Sequence, residues 1–261
     1  MIFAKKSLGQ NFLVDKNVVK KIINLLKIKD NHIVEIGPGR GSLTKEILRF
    51  EPRSLTIIEK DNRLAQELEL EYANKKKIKV INDDILKIDL ENILNNNSTI
   101  VGNLPYNISS QILVKILKFK IWPPKYNNLI FMFQKELGEK ILGKCPNANY
   151  GRLSILSNYR LKFVSKFLVS KNCFFPKPKV TSMVILFKPI LKKKYSIENI
   201  LNLEKITNFF FSNRRKMINK TIKKILNEPQ IKSITSLKLN SRPSEIRPET
   251  YYKITELFEK K

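Results

Sequence analysis

Hydrophobic positions between residues 15 and 189 fall into two alternating styles. In one, apolar residues recur every three or four positions, the spacing that lines one face of a helix. In the other they form short, mostly apolar runs, the mark of a strand buried on both faces. Residues 15–28 (DKNVVKKIINLLKI) follow the first style, with Asp15 placed as a cap. HIVEIG (32–37) reads as a buried strand closed by glycine and SLTKEILRF as a helix. SLTIIE (54–59) is a second strand, ending on an acid; NRLAQELELEYANK is an amphipathic helix; IKVIN (78–82) is a third strand, ahead of Asp83 and Asp84. TIVGN is the fourth, SQILVKILKF is helical, and NLIFMFQ (128–134) is the fifth. YGRLSILSNY reads as a helix, while KFVSKFLV (162–169) and KVTSMVILFK (179–188) form a hairpin at the sheet edge. This alternation predicts an α/β fold, a parallel sheet with helices on both faces.

The pattern changes near residue 190, where LKKKY makes a polar break. Helical spacing returns over 197–212, 214–227 and 249–260, with NSRPSEIRPE as a loop. The expected organisation is an α/β domain over 1–189 and a small all-α domain over 190–261. The second stretch carries 17 Lys or Arg against 7 Asp or Glu, so it is denser in positive charge than the rest of a chain whose net charge is +27. Self-repulsion on that scale points to a polyanionic partner, nucleic acid before a membrane surface. A second source is codon bias, since the chain is rich in Lys, Ile and Asn. Hydrophobic residues at 42% are enough for a sizeable core. The two cysteines, Cys145 and Cys173, lie far apart, and with His32 alone no zinc site can be assembled from Cys and His. Free thiols suit a reducing cytoplasm, and no apolar run reaches the length of a signal peptide or membrane span.

Candidate chemistry sits at the carboxyl ends of the strands, where open α/β sheets bind their ligands. EIGPGRGSL puts Gly37, Gly39 and Gly41 directly after the first strand, and Ser42 stands where a dinucleotide fingerprint needs its third glycine. Glu59 ends the second strand, placed to accept both ribose hydroxyls. Asp84 follows the third, placed to accept from an adenine amine, and Asn103 ends the fourth. Each acid could serve merely as a helix cap, but the series in register with the glycines points to a nucleoside without phosphate, and a sulfonium-bearing one fits. VGNLPYNISS (101–110) holds no acid, base or thiol. Methyl transfer to an exocyclic amine needs none: the Asn103 side-chain oxygen and the Pro105 carbonyl can accept the amine hydrogens, and Tyr106 can stack on the base. An Asn-Pro turn over a buried tyrosine is the structural alternative.

These segments resemble, in order along almost the whole chain, the ribosomal RNA adenine dimethyltransferase family. They are KKSLGQNFL (5–13), EIGPGRGSLT (35–44), IEKD (58–61), NDDIL (82–86), VGNLPYNIS (101–109), FQKEL (133–137), YGRLS (150–154), FFPKPKVTS (174–182), FSNRRK (211–216) and SRPSEIRPE (241–249). The resemblance implies a Rossmann-like class I S-adenosylmethionine-dependent methyltransferase sheet plus the helical C-terminal domain. It implies that Gln10, Asn11 and Leu13 close over S-adenosylmethionine, that Gly37, Glu59, Asp84 and Asn103 hold it within the glycine loop, and that Phe174 sandwiches the target base against Tyr106. Phe175 stands where a smaller residue is expected. The implied partner is small-subunit rRNA in an assembling small ribosomal subunit, and the implied enzyme is a cytoplasmic monomer with no metal. Arg214, Arg215 and Lys216 read as a phosphate-binding cluster at the start of a helix, or as a solvated face. A large-subunit methyltransferase of the erythromycin-resistance type shares the first domain, but FSNRRK and the closing segment favour the small-subunit family. A non-catalytic RNA-binding protein and a nicotinamide dehydrogenase fit the pocket motifs less well.

Overall fold

In the computed structural model, which describes residues 4–192 and 194–260, the predicted strands assemble into one sheet. The first elements are β1 (Phe12–Leu13), α1 (Lys16–Ile23), β2 (His32–Ile36), α2 (Ser42–Leu48), β3 (Ser54–Glu59), α3 (Asn62–Tyr72) and β4 (Ile78–Asn82). Next come α4 (Leu90–Ile93), β5 (Ser98–Asn103), α5 (Ser109–Leu117), β6 (Tyr126–Gln134), α6 (Lys135–Ile141) and α7 (Arg152–Arg160). Then follow β7 (Leu161–Val169), β8 (Phe174–Phe175), which pairs with β1 in a separate two-stranded ribbon, and β9 (Ser182–Pro189), and after them α8 (Ile200–Phe211), α9 (Asn219–Ile222), α10 (Glu228–Lys232) and α11 (Pro248–Glu259).

Seven strands run in the order β4-β3-β2-β5-β6-β9-β7. β4 through β6 pair in parallel, and β9 pairs antiparallel to β6, so β7 takes the edge as the sequence pattern predicts. The chain runs outward from β2 in both directions, and the reversal opens a crevice at the carboxyl ends of β2 and β5. Alternate residues explain why the strands read as continuous apolar runs. Ile33, Leu55, Ile57, Val101, Ile130 and Met132 share one core with Ile22, Leu43 and Leu68 of the helices. Val34, Ile58, Ile100 and Phe131, which point the other way along the same strands, are also buried. Asp15 caps α1 by accepting from the Asn17 and Val18 amides at 2.8 and 3.0 Å.

The chain divides into two compact units. The first comprises the chain through Gly138 together with Phe163–Pro189, and the second comprises Glu139–Lys162 together with the chain from Ile190 onward. The boundary drawn at 189/190 is thus one edge of the helical unit, which also recruits residues 139–162. Tyrosine hydroxyls tie that segment in: Tyr150 donates to the Ile246 carbonyl at 2.8 Å and Tyr252 to the Ile155 carbonyl at 3.0 Å. Helix α1 stops five residues before the predicted end. The predicted helix over 214–227 holds only four α-helical residues: the Ile218 amide bonds to the Ser241 carbonyl, and the Lys224 and Ile225 amides bond back only three residues, to Thr221 and Ile222. Its buried isoleucines at 218, 222 and 225 still keep helical spacing, and that spacing is what the sequence pattern registered.

Candidate active site

One cavity, partly open to solvent, lies at the carboxyl ends of β2, β3, β4 and β5. Gln10, Asn11 and Leu13, which the family resemblance implies, line it together with Gly37, Gly39, Glu59, Asp84, Asn103, Pro105 and Tyr106, which the strand-end pattern brings together. Gly39 has φ 59°, and a Cβ there would meet the Phe12 ring at 2.8 Å, so only glycine lets the loop pass under the ring. Gly41 does not line the cavity. It closes the turn, its amide donating to the Pro38 carbonyl at 3.0 Å, and opens α2, so its part is to shape the loop.

Glu59 is 7% exposed. Burial pushes its carboxyl above the ordinary range, partly opposed by amides that donate to it: Asp61 to Oε1 at 2.8 Å and Gly39 to Oε2 at 3.3 Å. Each oxygen keeps one further lone pair, which matches a vicinal diol. Asp84 is already engaged: Oδ2 accepts from Lys60 Nζ at 2.8 Å and Oδ1 from the Leu86 amide at 2.9 Å. The Lys60 bond holds its carboxyl below the usual range. Fully buried Glu35, to which the sequence pattern assigns no part in the site, also lines the cavity and accepts from Thr44 Oγ1 at 2.7 Å. Burial pushes it up to about 7.

The segment before α1 is fastened across the cavity by Asp61, a residue that the strand-end spacing does not single out. Asp61 accepts from Lys5 Nζ and from Gln10 Nε2, both at 3.0 Å. Burial works to raise this carboxyl, and the hydrogen bonds from Lys5, Gln10 and Arg63 outweigh it and hold it low. Ser42 Oγ donates to the Leu13 carbonyl at 2.6 Å, and Asn103 Nδ2 donates to the Asn11 carbonyl at 2.9 Å. The second bond fixes the orientation of the Asn103 amide: the nitrogen faces the strap, and Oδ1 is left as an acceptor. The Pro105 carbonyl accepts the Ile108 amide at 3.2 Å and retains its second lone pair. Tyr106 shares a hydrogen bond of 2.5 Å with Ser182 Oγ, which locks the ring plane. Burial raises its hydroxyl pKa, with the Ser182 bond opposing.

Two expectations need correction. Phe174 is 4% exposed, pairs with Leu13 across the β1–β8 ribbon, packs in the main core and is absent from the cavity wall. In this conformation it offers no open face to a base. Phe175 alternates outward and is 58% exposed. The basic cluster does not begin a helix either. Arg214, Arg215 and Lys216 follow the last residue of α8, where positive charge complements the helix dipole. Arg214 also donates to the Ala148 and Tyr150 carbonyls at 2.8 and 3.3 Å, so it staples the helical unit as well as charging it.

The donor set fits a nucleoside that carries positive charge and no phosphate. The charged side chains on a largely apolar wall are mainly carboxylates (Glu35, Glu59, Asp83 and Asp84), Lys60 is paired with Asp84, and Arg40 lies over the Phe12 ring at 4.9 Å. With this strand order, the glycine turn after β2 and the acid ending β3, the fold and site define the class I S-adenosylmethionine-dependent methyltransferases. Comparison with known proteins narrows the class. The family described as ribosomal RNA adenine dimethylase matches residues 2–260, and the chain belongs to it. It is 41% identical over 260 residues to the ribosomal RNA small subunit methyltransferase A of Pelagibacter ubique, covering 98% of this chain and 97% of that one. It is 38% identical to the protein of that name from Malacoplasma penetrans, covering 97% and 91%. Among solved structures, a dimethyladenosine transferase from Plasmodium falciparum superposes with a TM-score of 0.78 at 23% identity, covering 95% of this chain and 98% of that one. The 23S rRNA methyltransferase ErmE gives 0.70 at 23%, covering 95% and 100%. At those identities the likeness is one of fold.

Proposed function

We propose that this chain methylates the exocyclic N6 of two adjacent adenosines near the 3′ end of small-subunit rRNA, giving N6,N6-dimethyladenosine. We place the reaction on assembling small subunits in the cytoplasm, with the enzyme as a monomer. Family membership, relatives named for the small subunit, and the net charge of +27 support this reading. Among the described residues no helix is long and apolar enough to cross a membrane. The observation that carries the chemistry is the pinned Asn103 amide. One N–H of its side chain donates to the Asn11 carbonyl, which leaves Oδ1 as an acceptor for the target amine.

When bound, S-adenosylmethionine supplies a methyl activated by a sulfonium that leaves as a neutral sulfide. Glu59 anchors the ribose, and the gap left by the glycine loop admits the nucleoside. Asn103 Oδ1 and the Pro105 carbonyl accept the two hydrogens of the target amine, which draws its nitrogen toward pyramidal geometry and frees the lone pair otherwise shared with the ring. That stabilisation is largest in the transition state, where it counts toward rate. Tyr106, its ring locked through Ser182, stacks on the base and offsets part of the cost of taking it out of the RNA stack. The methylated nitrogen passes its proton to water, so the chain supplies no general base. The test is methylation of undermodified small subunits with labelled cofactor, followed by nucleoside analysis. Dimethyladenosine in small-subunit RNA is expected. Labelling confined to large-subunit RNA, or none at all, would overturn the reading.

A further inference from the structure

Phe175 is the feature that the proposed reaction leaves without a task. A phenylalanine ring 58% exposed forgoes most of the burial that stabilises such a ring, and local packing does not explain its place. Its position is set by the chain. β8 pairs antiparallel with β1, so Phe175 lies opposite Phe12, and Phe12 forms part of the cavity wall. The Arg40 guanidinium, also on that wall, sits 4.9 Å from the Phe12 ring centre and 6.0 Å from that of Phe175. Lys177 and Lys179 follow on the same loop, both exposed. The rim thus presents an open aromatic face with a planar cation beside it and two ammonium groups after it. Aromatic faces set among cations are the general means of binding single-stranded nucleic acid, with stacking holding the bases and the cations tracking the phosphates.

We propose that Phe175 and Arg40 form a stacking platform for the base that adjoins the target adenine in the RNA strand, with Lys177 and Lys179 on the neighbouring phosphates. The proposal rests on the reading of this chain as an RNA adenine methyltransferase and adds a substrate contact to it. The ring and the guanidinium grip the strand beside the extruded nucleotide. The strand is then held while the target is out of the stack, whatever the identity of the neighbouring base.

The experiment compares Phe175→Leu, which keeps apolar bulk but removes the π face, with Phe175→Tyr, which keeps the face. Undermodified small subunits serve as substrate for the full chain. Phe175→Leu is expected to raise KM for the subunits about 5- to 150-fold, the equivalent of a base stack worth roughly 1–3 kcal/mol. KM for S-adenosylmethionine and the melting temperature should stay at their wild-type values, and Phe175→Tyr should resemble wild type throughout. A Lys177→Gln, Lys179→Gln pair should lower the log–log salt slope of RNA binding by roughly 0.7 for each phosphate that is no longer neutralised. A Phe175→Leu variant with wild-type KM for subunits would overturn the platform, because apolar bulk alone would then suffice. A matching rise in KM for the cofactor would overturn it too, by assigning the ring to the cofactor wall. If the wild-type chain leaves no dimethyladenosine in small-subunit RNA, the failure lies in the underlying function.

Discussion

Replacing Glu59 by glutamine removes one charge and turns one acceptor into a donor, while the volume stays the same. Both carboxylate oxygens already hold backbone amides, Asp61 at 2.8 Å and Gly39 at 3.3 Å. Whichever way the new amide turns, its NH2 faces one of those N–H groups, so one backbone bond and one ribose acceptor are lost together. A hydrogen bond to a charged group contributes roughly 1.5–3 kcal/mol. The dissociation constant for S-adenosylmethionine should therefore rise about 10- to 150-fold. The sign of the pH effect follows from burial, which holds this carboxyl above the ordinary 4.5. Only the carboxylate accepts from both hydroxyls, so wild-type affinity should fall on acidification from a higher pH than a solvated glutamate would give. The fall should be reduced in Glu59→Gln. Calorimetric titration across pH, with a melting curve for each sample, measures both effects. A folded Glu59→Gln protein with wild-type affinity would show that the carboxylate does not hold the ribose.

Asn103→Ala should cut turnover by roughly 10²–10³, the usual cost of losing one preorganised polar group at a transition state, with a smaller effect on RNA binding; a defect in binding alone would contradict the catalytic assignment. Tyr106→Phe should lose only the Ser182 hydrogen bond, about 1 kcal/mol, whereas Tyr106→Ala should lose stacking as well, and equal activity of the two would refute a role for the ring. Arg215→Ala with Lys216→Ala should flatten the salt dependence of RNA binding by roughly 0.7–0.9 per phosphate released, without changing the melting temperature, while Arg214→Ala should lower the melting temperature because two backbone carbonyls lose their donor. Glu35→Gln should stabilise the protein. A carboxyl raised from 4.5 to about 7 keeps stability that is full below pH 4.5 and lost as pH rises through 7, about 3 kcal/mol in all. The gain in melting temperature should be large at pH 8 and vanish near pH 4, and a gain independent of pH would refute the cause.

The parallel sheet was legible because its strands are buried on both faces, and Glu59, Asp84 and Asn103 were legible as cavity-lining residues because they end or follow successive strands in one crevice. Phe174 and Phe175 were not distinguishable in the sequence. Which of two adjacent aromatics points outward depends on strand register, fixed here by pairing with Leu13 and Phe12 some 160 residues earlier. The helix expected over 214–227 failed for a related reason: burial spacing was correct, but a tertiary hydrogen bond from Ile218 to Ser241 overrode the backbone preference. Helix α10 did carry a readable signal. Asn227 and Gln230 form a capping box, with proline in the first turn. Glu35 and Asp61 stand inside quoted motifs, yet nothing local distinguishes a buried carboxylate from a helix cap. Arg214 shows the limit of counting charge, since an arginine that binds carbonyls within its own unit looks in sequence like one that waits for phosphate.

The ribbon of β1 and β8 is only two residues on each side, but it joins positions 12–13 to 174–175. During synthesis the N-terminal strand emerges first and has no partner until about 160 further residues have been added. At roughly 5–20 residues per second, that wait is about 8–32 s. Asp61, Ser42 and Asn103 are all made in the interval, so the side chains that fasten the segment before α1 precede the strand that covers Phe12 and Leu13. A polypeptide released early, short of Phe174, would lack the strand that covers Phe12 and Leu13 and leave their apolar faces exposed. It would thus be marked as incomplete by the same residues that finish the mature pocket.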